Sequence, residues 1–273
     1  MAVHLWLARE IARRGGPRLG EIVFTFVGDE ESLGLDGLAY LRESRAVAPD
    51  WLIVGGPTAN RLVREERGVM WVRVTTRGRA AHAGAPQLGD SAILRMHRVM
   101  AAIERELAPR LAARRSPVGL ASTFSIGKIR GGENTNEVPE SCEIEIDRRL
   151  LPAESVEEAL AEIESCASAA GEPASGVVVE LLIGTPGFSA PQDGKTVRAF
   201  GEAIIGCTGK AAERLDAVGA SDGRHFARDG IEIIGYGPGD GVNSHAANEY
   251  VELDEMVEAA LVQLDAAQRL LGF

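Results

Sequence analysis

The sequence has little cysteine: Cys142, Cys166 and Cys207 are its only three, and none sits in a CxxC pair. An odd number at wide spacing excludes a disulfide framework and reads as reduced thiols in a cytoplasmic protein. A basic excess is also absent. Lys and Arg total 29 against 40 Asp and Glu, for a net charge of −11, and only Lys128, Lys195 and Lys210 are lysines. That balance excludes a surface built to track nucleic-acid phosphates, so no nucleic-acid partner is expected. The acidity is spread along the chain and reads as solubility. No apolar run is long enough to span a bilayer, so no membrane partner is expected either. The opening MAVHLWLAREIARRGG carries its basic residues after its apolar ones, which is the wrong order for a signal segment. It predicts an amphipathic helix ended by Gly15-Gly16. There is no internal repeat and no low-complexity tract.

Against these absences stands Gly28-Asp29-Glu30-Glu31. Residues 21–27 (EIVFTFV) predict a short buried strand, which would place two adjacent carboxylates at its carboxyl end. Open α/β sheets hold their ligand sites at that end. Neighbouring carboxylates can divide a task, one ligating a metal while the other moves a proton. Read alone, the same residues are an acidic turn after a strand.

Three blocks follow from the patterning. Residues 1–67 give helix, strand, acidic loop, a short helix over 34–42, then the strand Trp51 to Val54 and the loop GGPTAN, which argues for a mainly parallel α/β sheet. Residues 68–183 give strand (VMWVRVTT), helix (91–113), two strands (STFSIGKI and SCEIEIDRRL), helix (155–169) and strand (VVVELLI). This βαββαβ order is the ferredoxin-like pattern. Residues 184–273 return to α/β, with helices predicted over 196–205, 221–228 and 254–271 and a strand at IEIIGY. The first and third blocks are expected to form one discontinuous domain with the second inserted.

His245, in the loop GPGDGVNSHAANEY after that strand, can offer an imidazole to zinc, with Glu249 accepting from its other nitrogen. An ordinary loop histidine is the simpler reading. His82 lies among small residues in TTRGRAAHAG, which leaves its ring accessible. His4, His97 and His225 read as packing or solvent residues.

Together VGDEESLG, VGGPT, ERGVMWVRVTTRGRAAHAGAPQLGDSAI, GGENTNEVPESCEIEIDRRLLP, ASDGRHFARDGIEIIGYGPG and SHAANEYV resemble the metallohydrolase family of acetylornithine deacetylase, succinyl-diaminopimelate desuccinylase, aminoacylase and the glutamate carboxypeptidases. The resemblance runs in order along nearly the whole chain. It implies a zinc-hydrolase α/β catalytic domain with an inserted ferredoxin-like lid that forms a homodimer. It implies hydrolysis of an amide bond in an N-acyl amino acid or small peptide, with Zn2+, or Co2+ or Mn2+, as cofactor. Glu30 becomes the general base, Glu31 and His245 ligands of one metal, and His82 the group that polarises the scissile carbonyl in the partner subunit's site. Asn136 and Arg149 match positions that hold the substrate, Arg149 being suited to a bidentate grip on its carboxylate, and Arg224 is a further candidate for that grip.

The chain also departs from the family. The first metal histidine, in a His-x-Asp stretch, and the bridging aspartate, in Asp-Met-Lys-Gly, fall upstream of the helix with which this sequence begins, so the catalytic domain is expected to be incomplete. The acid of a Gly-Glu-Pro-Thr loop is here Gly56. Glu31 and His245 remain, where catalytic zinc takes three protein ligands, so the metal is expected to be weakly held. Gly56 favours the alternative of a non-catalytic dimeric remnant. An exposed sheet edge and unburied apolar surface are expected in either case.

Overall fold

The computed structural model describes residues 1–32, 34–173, 176–215 and 219–273. The chain forms two compact units, Met1–Glu66 with Phe188–Phe273, and Arg67–Gly187. Helix α1 (Ala2–Arg13) forms because Val3, Leu7 and Ile11 recur every fourth residue and bury one face. It stops at Gly15 and Gly16, with φ of 99° and 80°. The short α2 (Tyr40–Glu43), β1 (Trp51–Val54) and β2 (Glu65–Glu66) complete this stretch. The second unit runs β3 (Gly68–Arg77), β4 (Ala81–His82), α3 (Ala92–Ala112), β5 (Thr123–Gly131), β6 (Glu137–Val138), β7 (Ser141–Leu150), α4 (Val156–Ser168) and β8 (Val177–Thr185). The first unit then resumes with β9 (Phe188–Ser189), α5 (Lys195–Thr208), β10 (Glu232–Gly235) and α6 (Leu253–Leu271).

In the first unit β1 and β10 pair in parallel, Trp51 opposite Glu232 through Val54 opposite Gly235. Alternate residues of β10 serve two cores. Ile234 joins Phe200, Ala203, Ala259 and Val262 of α5 and α6, with the Phe200 and Tyr236 rings edge-on at 5.4 Å. Ile233 joins Leu38, Val63, Phe188 and Phe226. Because the strands are parallel, both carboxyl ends open on one edge. The loops leaving them are tied there: Ala59 N–H donates to Gly239 O at 2.7 Å, and the buried Thr58 hydroxyl to Gly237 O at 3.0 Å.

Three expected elements differ. Residues 21–27 are not a strand. Ile22 and Phe24 pack against Leu7, Ile11 and Leu264, while Val23, Phe26 and Val27 are exposed. An alternating apolar segment becomes a strand only where a neighbour supplies ladder hydrogen bonds, and β1 pairs with β10 alone among the described residues. The helix expected over 34–42 is broken at Gly37, whose φ of −101° and ψ of −109° separate a wide turn from α2. The helix expected over 221–228 is a short 3-10 turn, Asp222–Phe226, begun by the Ser221 hydroxyl accepting from Gly223 N–H. Gly223 is pressed against Ile233, Phe188 and Val54, and this close approach sets the turn's path.

The second unit is one antiparallel sheet in the order β5-β7-β3-β8. With α3 and α4 on one face, this is the ferredoxin-like arrangement. Met70, Val72 and Val74 of β3 and Ile144 and Ile146 of β7 meet Met96, Val99, Ile103 and Leu107 of α3 and Ile163 of α4. The alternate residues Trp71, Arg73, Glu143, Glu145, Asp147 and Arg149 lie on the opposite face. The α/β class with an inserted ferredoxin-like unit therefore holds. Among the described residues no helix is long and apolar enough to cross a membrane.

Candidate active site

The acidic loop is shaped by Asp29. Its φ of 69° is left-handed, which is uncommon outside glycine but tolerated best by Asp and Asn. Its Oδ2 accepts from Asp36 N–H at 3.0 Å and its carbonyl from Gly34 N–H at 2.8 Å. These bonds close the loop and leave Glu30–Ser32 as a single 3-10 turn. His245 is also left-handed, with φ 60°. It follows a short turn, Gly241–Asn243, capped by Asp240 accepting from Val242 N–H at 3.0 Å. Out of these two loops Glu31 Oε2 comes within 3.6 Å of His245 Nε2, both side chains being exposed. Ligands bound at about 2.0–2.1 Å to one tetrahedral ion lie roughly 3.4 Å apart, so this spacing suits a shared cation.

Behind Glu30 sits a buried polar cluster. Glu66 Oε1 accepts from both the N–H and the hydroxyl of Ser221, the latter at 3.1 Å. Asp222 is seated so closely on Gly34 that a Cβ there would collide with its carboxylate. Arg224 donates from Nη1 to Ala220 O at 3.2 Å and from Nη2 toward Asp222 Oδ1 at 3.5 Å. Burial pushes the Glu66 carboxyl up to about 7, against the opposing pull of Ser221 and Arg224. Glu30 is also raised, first by desolvation and then by Asp222 and Glu31, with Arg224 and His245 opposing. Arg224, expected as a further substrate grip, lies among these acids. It is 5% exposed, faces inward, and serves as the counter-charge of these acids. A polar string such as ASDGRHF reads as surface; only the fold shows that Phe226 and Ile233 take it inside.

Two donors fall short of the three protein ligands of a catalytic zinc. Among the described residues no three His, Cys, Asp or Glu converge as a metal-holding group. Asp29 is engaged with Asp36, and Asp222 lies buried beside Arg224 and His225. At Gly56 nothing lies within 4 Å of where a Cβ would stand, so the place of an acidic side chain there is open space. The described residues offer a cation two ligands and an incomplete shell.

In the second unit the two-residue ladder of β4 with β6 sets His82 opposite Glu137. Ala83 N–H donates to Asn136 O at 2.9 Å, which brings Asn136 beside His82. His82 Nδ1 accepts from Gly84 N–H at 2.9 Å. An imidazole so held carries its proton on Nε2 and presents a donor outward. A Cβ at Gly84 would stand 3.0 Å from Nδ1, a tight contact that glycine avoids. Arg149 Nε and Nη2 donate to the two oxygens of Asp147 at 2.8 and 3.1 Å.

A discontinuous α/β unit whose loops bring two acids and a histidine together, with a ferredoxin-like unit inserted, defines the architecture of the chain. Residues 64–175 match the peptidase dimerisation domain. Acetylornithine deacetylase of Myxococcus xanthus is 27% identical over 248 residues, covering 89% of this chain and 63% of that protein. The uncharacterized protein YgeY of Escherichia coli K12 is 28% identical over 261 residues, covering 88% and 63%. Aminopeptidase PepT from Bacillus cereus superposes with a TM-score of 0.78 at 23% identity, covering 98% of this chain and 69% of its own. Residues 64–175 thus resemble the M20 dimerisation domain, and most of the chain is similar to acetylornithine deacetylase and to M20-type peptidase structures. The chain spans 63% of the length of these curated relatives.

Proposed function

We propose that this chain serves metal-dependent hydrolysis of an amide bond in an N-acyl amino acid or small peptide. The observation that carries the proposal is the approach of Glu31 and His245 to 3.6 Å next to Glu30. Glu30 is the general base: it takes a proton from the attacking water as the carbon–oxygen bond forms, and delivers it to the leaving nitrogen as the carbon–nitrogen bond breaks. Glu31 and His245 are ligands of a divalent ion, Zn2+ or Co2+ or Mn2+, which two donors hold weakly. His82 donates from Nε2 to the developing oxyanion, acting across a homodimer formed through the second unit. Asn136 and Arg149 hold the substrate, Arg149 at its carboxylate. The compartment is cytoplasmic, in keeping with three free thiols.

The test is hydrolysis of N-acetyl amino acids and dipeptides with added Zn2+ or Co2+, by this chain and by the product of its gene read with any in-frame sequence upstream of Met1. Glu30→Gln is expected to abolish turnover with bound metal unchanged, and His82→Ala to lower it by about 10²–10³-fold. Gly56 favours a second reading, a dimeric family member without catalysis. Absence of metal-dependent turnover in both forms would make that reading the better one.

A further inference from the structure

On the open face of the second unit's sheet, Trp71, Asp147 and Arg149 form one connected set. Trp71 lies opposite Asp147 in the β3–β7 ladder, and Arg149 follows two residues on, on the same face. Asp147 accepts three hydrogen bonds: Arg149 Nε to Oδ1 at 2.8 Å, Arg149 Nη2 to Oδ2 at 3.1 Å, and Trp71 Nε1 to Oδ2 at 2.8 Å. A guanidinium has two forks, one along its side from Nε and Nη2 and one at its end from Nη1 and Nη2. Asp147 fills the first. The second points away from Asp147, on a side chain 28% exposed. Burial, and then the charge of Arg149, lower the pKa of the Arg67 guanidinium, while Asp147 opposes them, so both cations lie within electrostatic reach of this carboxylate.

We infer that Asp147 is a positioning residue: pinned by the Trp71 indole, it holds Arg149 with its end fork outward, set for a planar, bidentate anion such as a substrate carboxylate. This rests on the reading of Arg149 as the carboxylate grip. Asp147 has two opposed effects. Its charge partly cancels that of Arg149 and weakens attraction for any anion, while its hydrogen bonds order a flexible side chain before the ligand arrives. The three bonds, all 3.1 Å or shorter, argue that ordering dominates.

The two effects predict opposite signs. On the full chain, calorimetry would compare the affinity for N-acetyl-L-alanine with that for N-acetyl-L-alaninamide, which differ only in the carboxylate. Wild type is expected to prefer the carboxylate, and Arg149→Met to erase the preference. Asp147→Asn is expected to reduce it by about tenfold, and Trp71→Phe to reduce it less, each leaving affinity for the amide unchanged. A damaged fold would lower both affinities together, and Trp71→Phe keeps the Arg149–Asp147 pair if the Asn variant proves unstable. Loss of the preference in Arg149→Met with retention or increase in both Asp147→Asn and Trp71→Phe would overturn the positioning role while sparing the grip. A preference absent from wild type, or unchanged in Arg149→Met, would overturn the grip and this inference with it.

Discussion

Glu66→Gln tests the buried cluster behind Glu30. Glu66 is 5% exposed and its carboxyl is pushed up to about 7 by burial, against an ordinary 4.5. The folded state therefore keeps a proton that the unfolded chain gives up. The stabilisation tied to that proton is fully present below pH 4.5 and is lost as pH rises through about 7. A gap of about 2.5 pH units corresponds to about 3 kcal/mol. Glutamine keeps a carbonyl oxygen to accept from Ser221 and has nothing to ionise. Urea unfolding of wild type and variant at stepped pH would isolate the effect, because titrations remote from this cluster cancel in the difference. Carried out in a Trp71→Phe background, fluorescence then reports Trp6 and Trp51, both in the first unit. The variant should match wild type near pH 4.5 and exceed it by about 3 kcal/mol at pH 8. A difference that does not change with pH would refute the reasoning.

Glu154→Ala should cost the second unit about 3–5 kcal/mol in chemical denaturation. It strips fully buried Arg148 of its 2.8 Å partner and removes the acceptor of Leu151 N–H and the Ser122 hydroxyl. The double variant Arg148→Met with Glu154→Leu should cost less, since no charge is left buried and unpaired. Long-range 15N–1H NMR of the neutral imidazole of His82 should show its proton on Nε2. Gly84→Pro, which deletes the donor to Nδ1, should return a mixture of tautomers. Gly56→Glu should fold normally, its side chain meeting open space, and should tighten Zn2+ binding by about tenfold or more in calorimetry if it supplies a third ligand.

The second unit was largely legible in the sequence. VMWVRVTT and SCEIEIDRRL bury alternate residues over Met70–Thr76 and Cys142–Leu150, and the partners that make them β3 and β7 lie in the same segment of chain. β7 occupies the expected residues 141–150, and α3 runs 92–112 where 91–113 was expected. The first unit was less legible because its local patterns depend on distant partners. EIVFTFV has a strand's composition and no ladder to join. Glu65 and Glu66, adjacent acids before a strand, look like surface and are buried. Nothing in composition announces the left-handed backbones of Asp29 and His245, since neither is glycine. Glu31 and His245 come from opposite ends of the chain, and only the family resemblance suggested pairing them.

The central claim is that Glu31 and His245 hold one divalent ion beside Glu30. Calorimetric titration of the metal-stripped chain with Zn2+, repeated on Glu31→Ala, His245→Ala and Glu30→Gln, tests it most directly. One weakly held ion per chain is expected, weakened by more than about tenfold in each of the first two variants and unchanged in the third. Binding that survives in both Glu31→Ala and His245→Ala would contradict the account.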